Sequence, residues 1–153
     1  MLRIKKILCP TDFSEPSFEA LKVACELAQQ FSSELIVMHA VQPVPTVSTG
    51  HMDPSTFNIP AYQQEMEVTA NTIMQEQIAK RVPETISVRS LVLLGDPANQ
   101  ILRAAEDKKV DLIVIATRGQ TGLKRLFFGS VAEKVVRHAP VHVLSIREKH
   151  PEV

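Results

Sequence analysis

At 153 residues the chain is the size of one domain, long enough to bury a core without disulfides or a structural metal. Seventeen basic residues balance seventeen acidic ones, and this net charge of zero removes the long-range attraction that nucleic acid or an anionic membrane asks of a partner. Two cysteines, Cys9 and Cys25, stand without CxxC spacing, so a redox motif or zinc site has little support and buried, reduced thiols in a cytoplasmic protein are expected.

The N-terminal "MLRIKKILCPTDF" is followed by no apolar run of signal-peptide length, and the other apolar runs are too short to cross a bilayer. Neither export nor membrane insertion is expected. The first run, "IKKILCP" at 4–10, is compact and predicts a strand. Phe18, Leu21, Cys25 and Ala28 then recur at helical spacing, after a start marked by Ser14 and Pro16. "ELIVMHAV" at 34–41 predicts the second strand. The segment "QPVPTVSTGHMDPSTFNIP" that follows has four prolines between Pro43 and Pro60 and is long for a compact domain, which reads as either a lid or a disordered span.

Tyr62, Met66, Ala70, Ile73 and Gln77 give the second helical period. "ISVRSLVLL" at 86–94 alternates early and becomes continuous late, as a strand near a sheet edge does. "GDPANQIL" reads as turn and helix start with Pro97 in the first turn, so Gly95 and Asp96 are mostly architecture, and Ala98, Ile101, Leu102 and Ala105 carry that helix. "DLIVIAT" at 111–117 predicts the fourth strand, Val131, Val135, Val136 and Ala139 the fourth helix, and "VHVLSI" at 141–146 the fifth strand. One domain over 1–147 with a polar, frayed tail at 148–153 is expected.

Strands that alternate with helices and are apolar on both faces call for a parallel sheet covered on each side, a doubly wound α/β domain. In such sheets the ligand crevice opens at the carboxyl ends of the strands, where the winding reverses. The strand-to-helix loops therefore carry the chemistry. In the last of them, "ATRGQTGLKRLFFGSVAEKVVRH", three of the chain's five glycines gather. Gly129 and Ser130 stand where a helix begins, with Glu133 three residues past the serine, which spells a capping box with Ser130 as the cap. The same glycine would let an anion approach free backbone N–H groups, so cap and phosphate site are both open readings. Gly119 and Gly122 allow a tight turn that shows amides to the crevice, and Arg118, Lys124 and Arg125 supply positive charge there.

In the first loop, Asp12 is placed to accept hydrogen bonds from a sugar or base, to help hold a divalent ion beside phosphates, or to serve as a helix-start carboxylate. His39 reads as a buried histidine with its hydrogen bonds satisfied. The P-loop pattern G-x-x-x-x-G-K-[ST] and the dinucleotide pattern G-x-G-x-x-G are absent, and no nucleophile with its base or metal-ligand cluster emerges. The reading is of a binder with no catalytic residue.

Three stretches, "IKKILCPTDFSEPSFEALKVACELA", "GDPANQILRAAEDKKVDLIVIATRGQTGL" and "LFFGSVAEKVVRHAPVHVLSI", resemble the universal stress protein family over nearly the whole chain. The resemblance implies a Rossmann-like, five-stranded parallel sheet of order 3-2-1-4-5 and an ATP-binding pattern G-x2-G-x9-G-[ST]. Laid on this chain, the pattern falls on Ala116, Gly119, Gly129 and Ser130, with alanine in the place of the first glycine and Arg118 where the family usually has histidine. It further implies that Pro10, Thr11 and Asp12 line the adenine and ribose end with Ala40 behind the base, and that Gly119, Gly129, Ser130 and Val131 meet the phosphates. The implied ligand is ATP with Mg²⁺, or AMP or ADP, and the implied assembly is a homodimer through the strand at 141–146, where His142 replaces a frequent proline. A nucleotide-free dimer that docks a protein partner and a slow ATP hydrolase are the alternatives.

Overall fold

The computed structural model describes residues 1–45, 58–118 and 128–147. Most of the proline-rich segment, Gly119, Gly122, Lys124, Arg125 and the tail at 148–153 lie outside the described residues. The elements follow in the order β1 (Lys6–Pro10), α1 (Glu15–Phe31), β2 (Glu34–Val41), α2 (Ile59–Arg81), β3 (Val88–Leu94), α3 (Pro97–Asp107), β4 (Leu112–Ala116), α4 (Ser130–His138) and β5 (His142–Ile146). All five strands pair in parallel in the order β3-β2-β1-β4-β5, as the resemblance implied.

This order fixes where each helix lies. The chain steps from β1 to β2 to β3 in one direction, then crosses back over β1 to β4 and on to β5, and right-handed crossovers put the two halves' helices on opposite faces. Alternate side chains of the central strands accordingly enter two cores. Ile7, Cys9, Leu35, Val37 and Val114 join Leu21, Ala24 and Cys25 of α1 and Met74 of α2. Leu8, Ile36, Met38, Ile113 and Ile115 join Ala98, Ile101 and Ala105 of α3 and Ala132 and Val135 of α4. Because β1, β2 and β4 are covered on both faces, their sequences read as unbroken apolar runs. Burying one such Ile or Leu contributes roughly 1.5–3 kcal/mol.

The sequence places β3 near an edge, and among the described residues β3 pairs with β2 alone. The opposite edge is β5, which among the described residues pairs with β4 alone and alternates half-buried Val143 with exposed His142 and Leu144. Three of the helices begin on side-chain caps: Ser14 accepts from the Ser17 amide, Asn58 from Ala61 and Asp96 from Asn99. Gly95 turns ahead of Asp96 at φ 146°, in the region that favours glycine.

The fourth helix corrects the sequence reading. Its cap is Gly129, at φ −71° and ψ 160°, with no side-chain cap bond, and Ser130 is the first helical residue. The expected capping box therefore does not form. The Gly129 amide is tied to the Thr117 carbonyl, which makes the glycine the residue half inside the helix, while the Glu133 carboxylate pairs with Arg137 at 2.8 Å.

Candidate functional site

A crevice of about 700 Å³ opens at the carboxyl ends of β1, β2 and β4, within the size range of small-molecule sites. Its first wall is the loop after β1. The Thr11 amide donates to the Met38 carbonyl at 2.7 Å, extending the ladder one residue past Pro10 and holding Thr11 in the sheet. Buried Thr11 then spends its hydroxyl locally: Oγ1 lies 2.8 Å from the Ser17 hydroxyl and accepts the Phe13 amide at 3.0 Å. Asp12 accepts through Oδ1 from the Ser14 amide at 3.0 Å and from the Ser14 hydroxyl. Its carboxylate is thus a helix-start group that also lines the crevice.

The second wall comes from β2. His39 places Nδ1 2.8 Å from the Thr11 carbonyl and stacks on Phe13 with ring centroids 4.3 Å apart, so the histidine is satisfied, as expected, though half-buried. Ala40 follows it on the crevice surface.

The third wall joins β4 to α4. Ala116 and Thr117 are buried at the strand's end, with Arg118 half-buried beyond them. Gly129 donates its amide to Thr117, and Ser130 and Val131 open α4 beside the crevice. The first N–H groups of a helix have no partner within it, so this end attracts anions. Of the ten residues on which the family resemblance places the nucleotide, nine (Pro10, Thr11, Asp12, Ala40, Ala116, Arg118, Gly129, Ser130 and Val131) line this one crevice; Gly119 lies outside the described residues, as do Gly122, Lys124 and Arg125.

The wall formed by α2 was missed as a site. Tyr62, Met66, Ala70, Ile73 and Gln77 read as a helical period only, yet the first four border the crevice with Glu65 and Thr69, Ala70 being buried there. The signal was in the sequence as the helical period itself, but period alone does not say whether a face meets a core or a cavity. One residue before Pro10, burial pushes the Cys9 thiol far above its usual range, with neighbouring Cys25 adding to the effect. Among the described residues no group of three or more His, Cys, Asp and Glu side chains is placed to hold a metal ion, and no helix is long and apolar enough to cross a membrane.

An apolar lining, the carboxylates of Asp12 and Glu65, the guanidinium of Arg118 and a helix N-terminus suit a ligand with a flat apolar part, hydroxyls and an anionic end. With the crevice at the point where the sheet reverses its winding, this is a Rossmann-like α/β domain. Residues 3–147 match the Universal stress protein family, and the chain belongs to that family. It is 35% identical to universal stress protein MJ0531 of Methanocaldococcus jannaschii, over 97% of this chain and 85% of the relative. A universal stress protein of Thermus aquaticus is 36% identical over 94% of this chain and 98% of its own. Among solved structures, the universal stress protein UspA of Lactobacillus plantarum superposes with a TM-score of 0.80 at 25% identity, covering 96% of this chain and 100% of that one. The fold is also shared by a universal stress protein solved in complex with cAMP (TM-score 0.62, 23% identity, 95% and 98% covered) and by one from Archaeoglobus fulgidus solved with dAMP (0.54, 20%, 95% and 98%).

Proposed function

We propose that this chain is a cytoplasmic, homodimeric universal stress protein that binds ATP, as a sensor or regulator with slow or no hydrolysis; AMP and ADP are the related candidates. One observation carries the reading: Gly129, Ser130 and Val131 at the start of α4 border the same crevice as Asp12 at the end of β1. In this arrangement the helix end takes the phosphates and Asp12 the ribose, with the base over Ala40. Two proteins of the same fold are described in complexes with adenine mononucleotides, which supports that ligand class. Mg²⁺ would arrive with the phosphates, and Asp12, one of the two carboxylates that line the crevice, is the residue that would help hold it. The open edge of β5 is the surface offered to a second copy.

Ala116 favours a second reading, the nucleotide-free dimer. Its methyl stands at the end of β4 in the crevice lining, where the family pattern has glycine. Calorimetric titration with ATP and Mg²⁺ separates the two, run on the parent and on the double variant Gly129→Val, Ser130→Ala. Binding by the parent and not by the variant is the expected result. Absence of binding by a folded parent would hand the crevice to the second reading.

A further inference from the structure

Phe13 is a non-glycine residue at φ 64°, in the left-handed region that a bulky side chain occupies only when its surroundings hold it there. Two contacts hold it. Its amide donates to Thr11 Oγ1 at 3.0 Å, and its ring lies on His39, with centroids 4.3 Å apart and planes inclined by 27°. His39 in turn reaches across from β2 to the loop after β1, placing Nδ1 2.8 Å from the Thr11 carbonyl. A carbonyl oxygen only accepts, so the proton is on Nδ1. One imidazole thus grips both residues that flank Asp12: Thr11 by its carbonyl and Phe13 by its ring.

We infer that His39 is the positioning residue of the crevice: it fixes the loop Thr11-Asp12-Phe13 so that the Asp12 carboxylate is presented to a sugar's hydroxyls, and it thereby sets discrimination between ribose and deoxyribose ligands. All four side chains border the crevice, and Asp12 also holds the Ser14 amide that starts α1, so a loop freed at either flank loses both functions together. The part concerning ligand choice rests on the nucleotide reading above; the part concerning the loop does not.

The test has two arms built on variants that divide the grip. His39→Phe keeps a flat ring to stack and removes the donor; His39→Asn keeps an N–H where Nδ1 stood and removes the ring. In the ligand-free protein, amide hydrogen exchange at Phe13 and Ser14 should rise about ten-fold or more in His39→Phe, while core amides such as Ile113 stay as in the parent. Should that variant fail to fold, Phe13→Ala removes the ring from the other side and the same rise is expected. Unchanged exchange at Phe13 and Ser14 in the folded variants would overturn the positioning role.

In the loaded protein, parent and variants are titrated with ATP and with 2′,3′-dideoxy-ATP. His39→Phe should lose about ten-fold in affinity for ATP and under about two-fold for the dideoxy analogue, collapsing the ratio, with His39→Asn closer to the parent. Equal losses on both ligands would mean that His39 merely supports the fold, and would overturn the inference on discrimination. A parent that binds neither ligand would refute the nucleotide reading and the discrimination with it, whereas the exchange arm would still decide the loop.

Discussion

Gly129 hangs the start of α4 from the end of β4, its amide donating to the Thr117 carbonyl across 2.6 Å. The approach is close enough that a Cβ at 129 would lie 3.3 Å from that oxygen and 3.9 Å from the Arg118 Cα. The glycine's φ of −71° is open to any residue, so what a side chain meets here is crowding by the Thr117 carbonyl rather than backbone strain. Gly129→Ala should therefore fold, at a cost of about 1 kcal/mol as the helix shifts by tenths of an ångström. Because that shift moves the helix's free N–H groups, ATP affinity should fall by about three- to ten-fold. Thermal melts and calorimetry on the same preparation check both. A variant with parental affinity would detach the ligand from this end of the helix.

Ala116 offers the opposite experiment. It is a buried residue at the last position of β4, opposite Ile146, and its surroundings include the crevice. Ala116→Gly restores the family pattern and removes a methyl from the lining. Affinity for ATP should rise by about three- to ten-fold, while stability falls by about 0.5–1 kcal/mol from the greater freedom of glycine in the unfolded chain. An affinity that does not change would show that the methyl does not crowd the ligand.

Much of this arrangement was legible in the order of apolar runs. Strands covered on both faces carry unbroken apolar residues, so β1, β2 and β4 declared themselves, and Ile7 beside Leu8 already shows a strand serving two cores. The spatial order of strands came from family resemblance, because periodicity does not say which strand lies beside which. The start of α4 misled for a local reason: Ser130 and Glu133 have the right spacing for a capping box, but the bond from Gly129 to Thr117, a tertiary contact, decides which residue is the cap. The His39 grip was half legible. A satisfied histidine was expected, whereas its partners, the Thr11 carbonyl and the Phe13 ring, meet it only once β1 and β2 are neighbours.

The free edge of β5 supplies a prediction about assembly. Val143 turns toward the α3 and α4 core, which leaves Leu144, 37% exposed, on the other face of this edge strand. A second copy pairing along this edge would cover that leucine. Leu144→Glu should weaken the proposed dimer by about ten-fold or more, since two copies would bring the new carboxylates close and desolvate them. Val68→Glu on α2, at a residue 60% exposed and remote from this edge in the sheet order, should leave the dimer intact. Sedimentation velocity over a dilution series reads the difference. Equal dissociation of both variants and the parent would place the dimer contact elsewhere.

The buried thiols make stability depend on alkaline pH in a direction that can be worked out. Cys9 and Cys25 share one core, and burial raises both: Cys9 well above its usual value, and Cys25 from 9.0 up to about 11, with the charge of Glu26 adding to burial. Below pH 9.0 folded and unfolded chains both hold these protons, and the thiols take nothing from stability. As pH rises from 9.0 toward about 11, the unfolded Cys25 ionises while the folded one keeps its proton, so the unfolded state is favoured progressively; for Cys9 the same drift continues beyond that window. Each thiol in its window removes up to about 1.4 kcal/mol per pH unit. Urea unfolding of the parent at about pH 8 and about pH 10 should therefore show a loss that is smaller in the double variant Cys9→Ala, Cys25→Ala. The cavities left by the alanines lower stability at both pH values alike, so the slope, not the absolute midpoint, carries the result. Parallel slopes in parent and variant would mean that the thiols keep ordinary ionisation despite their burial.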